Sequence, residues 1–273
     1  MLRSNQVATE RLTILVTGAC GQMGKEVIAG ILQASDMVLV GAVDPAGRGK
    51  PVSEIVAGAP PELVCSGHLA SALAESRPQV MIDFTHPDVV MDNIQAALNA
   101  GVACVVGTTG LSQLDLQVIE RMCQKKQTPC LIAPNFSIGA NLMMKFAAEA
   151  AGQFDYAEII ERHHEKKADA PSGTALTTAE KMARARTHPL RRVTTTHEEL
   201  PGARGGETEG VHIHSVRLPG YVANQEVVFG NTGEILKIEH ITTSRECFTP
   251  GVLLAARKVR ELEGLVYGLD QIL

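Results

Sequence analysis

Residues 12–24 read LTILVTGACGQMG. Leu12 to Thr17 is a short apolar run, and Gly18, Gly21 and Gly24 follow it at the spacing G-x-x-G-x-x-G. From Lys25 to Ala34 apolar residues recur at helical spacing, so the stretch predicts strand, tight turn, helix. Such a turn can admit a diphosphate: glycine permits positive φ, backbone N–H groups come close, and the helix dipole turns its positive end to the anion. A turn that needs glycine only for its conformation would carry the same letters. The next strand, Val38 to Val43, favours the nucleotide, because it ends at Asp44, 20 residues after Gly24. An acidic group there accepts hydrogen bonds from ribose hydroxyls. The reading is a nicotinamide dinucleotide held by Gly18, Ala19, Cys20, Gly21, Gln22, Met23 and Asp44.

Downstream the rhythm repeats. Val80 to Phe84, Val102 to Val106 and Pro129 to Ala133 are strand-like, with helices predicted at Asp88 to Ala100 and at Ser112 to Lys126, the latter opened by Ser112 as N-cap. Alternating strands and helices predict an α/β, Rossmann-type doubly wound parallel sheet. Gly107, Thr108 and Thr109, and likewise Ala133, Pro134, Asn135 and Phe136, close strands of that sheet and so border the crevice where ligands sit. They are candidates to line the nicotinamide; ordinary βα turns also use Gly and Asn.

After Asn135 the grammar changes to a helix (Gly139 to Ala151), a strand (Ala157 to His163), a helix (Gly173 to Arg186) and then strands. Val211 to Arg217, Glu226 to Phe229 and Ile235 to Thr242 read as a meander in a second α+β domain with a mostly antiparallel sheet, with a hairpin turn at Asn231, Thr232 and Gly233. Glycines 202, 205, 206 and 210 mark a polar, mobile loop, and Pro250 to Gly264 a final amphipathic helix. No internal repeat is visible.

Composition bounds the function. A chain of 273 residues suggests two domains. A net charge of −5, with 3% aromatic residues and no Trp, argues against a nucleic-acid partner, which would want a basic face or stacking platforms. No apolar run approaches membrane-spanning length. Residues 1–10, MLRSNQVATE, lack a signal-peptide core and read as a disordered polar extension before Leu12. Six cysteines without a CxxC read as free thiols in a reducing cytoplasm.

The most chemically loaded stretch is ERHHEKKADAPSGTA, residues 161–175. His163 and His164 leave a strand and can offer a proton near neutral pH, Lys167 supplies a cation, and Ser172, Gly173 and Thr174 open a helix whose free N–H groups favour an anion. Together they suit a carboxylate-bearing substrate that receives a proton, although a charged loop before a Ser-capped helix would also explain each residue singly. His212 and His214 share one strand face by their spacing, and His240 lies on a strand read as neighbouring, which raises a metal site; no Cys pair or HExxH accompanies them, and the reading is that no metal is bound.

At these residues the chain resembles the dihydrodipicolinate reductases, the NAD(P)H-dependent enzymes of the diaminopimelate route to lysine. The match runs through GACGQMG, GTTG, APNFSIGANL, ERHHEKKADAPSGTA, HSVRLPG, GEILKIEH and GVLLAARKV in family order. The resemblance implies His163 as general acid, Lys167 assisting protonation and binding substrate, and His164, Ser172, Gly173 and Thr174 holding the carboxylates of a small dicarboxylate. It implies a dinucleotide-binding domain built from 1–134 and 245–273, a substrate and oligomerisation domain at 135–244, NADH or NADPH as cofactor, and a homotetramer. Two departures stand out: Gln22 replaces an Arg usual in the nucleotide loop, which unsettles any preference for NADPH, and Asn224-Gln225-Glu226 lies where many members carry Gly-Glu-His. Two other functions share parts of the pattern: a dinucleotide-sensing regulator without turnover, and a metal-dependent hydrolase built on His212, His214 and His240.

Overall fold

The computed structural model describes residues 11–273, so the polar stretch 1–10 lies outside the described residues. The chain divides into two units, one formed by the residues up to Phe136 with Phe248–Leu273, the other by Ser137–Cys247.

The first unit begins with β1 (Leu12–Thr17), α1 (Gln22–Gln33) and β2 (Met37–Val43), then the short α2 (Val52–Ile55) and α3 (Leu69–Ser76). It continues through β3 (Val80–Asp83), α4 (Pro87–Asn99), β4 (Ala103–Val106), α5 (Gln113–Lys126) and β5 (Cys130–Ile132). β3, β4 and β5 are buried at every position, as strands covered on both faces must be. Ser112 caps α5 in a reciprocal capping box with Asp115, as its position in the sequence predicts.

In the second unit come α6 (Ile138–Ala151), β6 (Tyr156–His163), α7 (Gly173–Arg184), β7 (Gly206–Thr208), β8 (Val211–Arg217), β9 (Ala223–Asn231) and β10 (Glu234–Thr242). The chain then returns to the first unit as α8 (Thr249–Lys258) and β11 (Leu265–Tyr267). The final helix is thus shorter than its apolar pattern predicts, because the chain leaves it through a 3₁₀ turn at Val259–Glu261 and pairs β11 with β5.

The six-stranded sheet of the first unit has the order β11-β5-β4-β3-β1-β2, parallel throughout. The strand order reverses between β3 and β1, the switch point where such sheets open a crevice. The second sheet has the order β10-β9-β6-β8-β7. It is mostly antiparallel, yet the expected meander is corrected: β6 lies between β8 and β9, and β6 and β8 run parallel, with Glu161 opposite Ser215 and His163 opposite Arg217. Ala147, Ala151, Ile159, Ala179, Met182, Ile213, Val227 and Phe229 form this unit's core, so α6 and α7 cover one face of the sheet. Two-residue alternation turns Glu158, Ile160, Arg162, His212 and His214 to the other face.

Candidate active site

Gly18 leaves β1 at φ +75°, and a Cβ there would stand 2.1 Å from the carbonyl oxygen of Phe84, so the turn admits glycine alone. α1 then starts at Gln22 with Gly21 as an N-cap that offers no side-chain partner, leaving its first-turn amides uncapped by side chains. Beside them is a cleft of about 380 Å³. Of the residues expected at the cofactor, Gly21, Gln22, Met23, Gly107, Thr108 and Thr109 meet on its wall. Phe84, Thr85 and Pro87 join them, and sequence reasoning missed all three. Their signal was available: they follow directly on β3, whose carboxyl end faces the same switch point. Gly107 has no Cβ because one would lie 2.1 Å from the Phe84 ring. Uncapped helix amides beside a glycine turn suit a diphosphate, and the cleft's mixed apolar and hydroxyl wall suits a nicotinamide ring.

The other expected cofactor residues are placed elsewhere. Ala19 is fully buried, and Cys20 donates its N–H to Asp44 Oδ2 at 2.9 Å. Asp44 Oδ1 accepts from Ala46 N, also at 2.9 Å, so this carboxylate ties the glycine turn to the end of β2. Ala133, Pro134, Asn135 and Phe136 do not line the cleft; Phe136 is buried and its ring packs on that of Phe84, with centroids 5.8 Å apart.

In the second unit Glu161 and His163 sit two residues apart on the helix-covered face of β6, and the parallel register brings Arg217 of β8 beside them. Glu161 is fully buried. Its Oε2 is 2.5 Å from His163 Nδ1, Arg217 binds both oxygens at 2.8 Å, and Oε1 accepts from Ser172 N at 3.2 Å. Burial alone would push the carboxyl up, but hydrogen bonds from His163, Arg217 and Ser215 outweigh it and hold the group at about 2. With Nδ1 engaged by Glu161, His163 has Nε2 for a ligand. Ser172 caps α7 by accepting from Ala175 N, and Gly173 at the helix start is exposed. Lys167 pairs with Asp169 at 2.7 Å. His164 Nδ1 accepts from Lys166 N, which holds the turn after β6. The structure thus joins His163 to the start of α7 through Glu161, a residue sequence reasoning did not single out, as it did not single out Arg217.

The histidine trio does not assemble. His240 faces α6, its Nε2 3.2 Å from Ser137 Oγ, whereas His212 and His214 point to the opposite face and His214 bonds Glu158 at 2.8 Å. β9 and β6 separate β10 from β8, so the expectation of neighbouring strands is corrected. Among the described residues, no group of three or more His, Cys, Asp or Glu is placed to hold a metal ion. The departure at 224–226 is accommodated internally: Asn224 accepts from Thr242 N, Gln225 donates to Thr178, and Glu226 pairs with Arg162 and Lys237. Among the described residues, no helix is long and apolar enough to cross a membrane.

A glycine-turn cleft at the switch point of a doubly wound sheet, in a chain that also holds a buried carboxylate–imidazole pair, defines a dinucleotide-dependent oxidoreductase. The chain belongs to the dihydrodipicolinate reductase family: the models for that enzyme's N-terminus and C-terminus match residues 12–136 and 139–273. It is 48% identical to the 4-hydroxy-tetrahydrodipicolinate reductase of Moorella thermoacetica, over 98% of this chain and 99% of that one. To the enzyme of the same name from Gloeothece citriformis it is 50% identical, over 96% and 98%. The structure of dipicolinate-bound dihydrodipicolinate reductase from Paenisporosarcina sp. TG-14 superposes with a TM-score of 0.87 at 38% identity, covering 96% of this chain and all of that one. NADH or NADPH is the cofactor.

Proposed function

We propose that the chain reduces 4-hydroxy-tetrahydrodipicolinate to tetrahydrodipicolinate with NADH or NADPH, in the diaminopimelate route to lysine. The observation that carries the reading is the contact between His163 and the buried Glu161, next to the N-terminus of α7. Once the substrate has lost water it is a conjugated imine, and the bound dihydronicotinamide supplies hydride to it. The anion that results needs one proton. His163 donates it from Nε2, while Glu161, pinned by Arg217, keeps Nδ1 engaged and stabilises the imidazolium. Gly173 and Thr174 present the amides of α7 to one carboxylate, beside Ser172, which caps the helix while its own N–H is held by Glu161; His164 and Lys167 serve the substrate from the preceding turn, Lys167 exchanging Asp169 for a substrate carboxylate.

In the first unit Gly21, Gln22 and Met23 hold the diphosphate, with Gly18, Ala19 and Cys20 shaping their turn. Gly107, Thr108 and Thr109 face the nicotinamide, Asp44 takes the adenine ribose, and Ala133 to Phe136 support the wall through Phe84. Residues 135–244 form the substrate and oligomerisation domain, and 1–134 with 245–273 the cofactor domain. The protein works in the cytoplasm as a homotetramer, a reading supported by the sheet face opposite α6 and α7, where Ile235 and Ile241 are exposed.

The test is a steady-state assay with enzymatically generated 4-hydroxy-tetrahydrodipicolinate. Substrate-dependent loss of NAD(P)H absorbance is expected. Dinucleotide binding without that loss would instead identify a sensor.

A further inference from the structure

Asp83 ends β3 directly behind the cleft wall and is wholly buried. Its Oδ1 accepts from Thr108 Oγ1 at 2.6 Å, Thr85 Oγ1 at 2.8 Å and Thr85 N at 3.1 Å. Its Oδ2 accepts from Thr17 Oγ1 at 2.7 Å and Asn93 Nδ2 at 2.8 Å. All five donors are neutral. A carboxylate can only accept, and a threonine hydroxyl has a single proton to give. Thr85 and Thr108, both on the cleft wall, therefore turn their protons inward to Asp83. Each oxygen also accepts once from within the protein, Thr108 from Thr85 N at 2.7 Å and Thr85 from Asn93 at 3.3 Å. What each retains is a lone pair.

We propose that Asp83 is a positioning residue that sets the polarity of the cofactor cleft: by holding Thr85 and Thr108 as acceptors, it makes the wall select a ring substituent that donates hydrogen bonds. In a nicotinamide dinucleotide the donor is the carboxamide NH₂. The inference rests on the cleft being the cofactor's site. It requires an acceptor at position 83: an amide could keep its oxygen towards Thr85 and Thr108, whereas alanine would leave both hydroxyls free to turn their protons outward. Asp83 touches no ligand in this scheme; it acts through the two threonines.

The test is direct binding, by calorimetry, of three probes: NADH, reduced 3-acetylpyridine adenine dinucleotide, whose ketone accepts but does not donate, and ADP-ribose, which lacks the ring. The protein should favour NADH over the ketone analogue by about ten-fold, the worth of one hydrogen bond. In Asp83→Ala, which removes the acceptor of both hydroxyls, the preference should fall to about two-fold, lost on the NADH side, with ADP-ribose affinity unchanged. Thr108→Val should move the same way and Thr108→Ser should restore the preference, which decides the matter even if Asp83→Ala does not fold. An unchanged preference in Asp83→Ala, or in Thr108→Val where that variant is the one that folds, overturns the proposal. So does a protein without the initial preference, although NADH binding would then leave the cofactor reading intact. If neither NADH nor ADP-ribose binds, the cleft is not the cofactor site and both readings fall.

Discussion

Each unit buries one carboxylate completely and surrounds it with donors, but the donors differ in kind. Asp83 is held by three threonine hydroxyls, an asparagine amide and a backbone N–H, none of which titrates near neutrality. Glu161 is held by an imidazole, a guanidinium and a backbone N–H. Neutral donors make a fixed scaffold whose geometry is its contribution. With His163 as the proposed acid, an imidazole partner makes the second carboxylate part of a proton path, because the strength of that contact changes when the ring gains or gives up its proton. On the proposed reading, one fold uses the same buried group for orientation in one unit and for proton handling in the other.

The contrast breaks most sharply at His163. His163→Ala should lower kcat by about 10²–10⁴, the worth of a positioned general acid, while NADH affinity stays within about two-fold. A variant turning over near the wild-type rate removes His163 from the chemistry and makes Glu161 a scaffold like Asp83.

Lys167→Ala should raise the substrate KM and lower kcat, each by about ten-fold, because its ammonium meets charge both before and during the reaction. Pyridine-2,6-dicarboxylate should compete with substrate in the wild type and bind about ten-fold more weakly to the variant. Equal binding to both proteins places the anion site elsewhere.

Acid sharpens the comparison further. The folded-state value of Glu161, about 2, lies below the usual 4.5, so its contribution to stability is fully present above pH 4.5 and is lost as pH falls through about 2. Glu161→Gln should be less stable than wild type at neutral pH and lose less stability between pH 4.5 and 2. Denaturant unfolding across that range checks both slopes, and parallel slopes would sink the assignment.

The smallest effect is expected at the adenosine end. Asp44→Ala should weaken NADH more than NADPH, and replacing Arg48 and Lys50 together by Ala should do the reverse, each by about three-fold. Asp44 already accepts from Cys20 N and Ala46 N, so a uniform loss with both cofactors would mean that it serves only to hold the turn.

Much of the first unit was legible because its strands are continuous apolar runs that end in glycine or polar turns. The glycine turn, Gly107 to Thr109 and the capped start of α5 all lie where local pattern predicts them. β11 was hidden because three partly exposed residues at a sheet edge carry little signal and follow a helix without a break in apolar spacing. Arg217 was hidden for another reason. It is 56 residues from Glu161, and only the β6–β8 pairing, which alternation of polar and apolar residues cannot reveal, brings the two together. Phe84 and Thr85 were closer to view, since they follow a strand whose neighbours had already been read as lining the crevice. His240 misled because a turn at 231–233 predicts the β9–β10 hairpin correctly but says nothing about what lies on β9's other side.

The pairing of β11 with β5 also bears on how the protein is made. Residues 137–247 intervene between the two portions of the first unit, so a ribosome completes the second unit before Leu265–Tyr267 emerges. Until then β5, buried at every residue in the finished sheet, is an open edge of unpaired backbone groups. The nascent chain thus carries an adhesive strand through more than a third of its synthesis, and that interval is when a chaperone has most to protect.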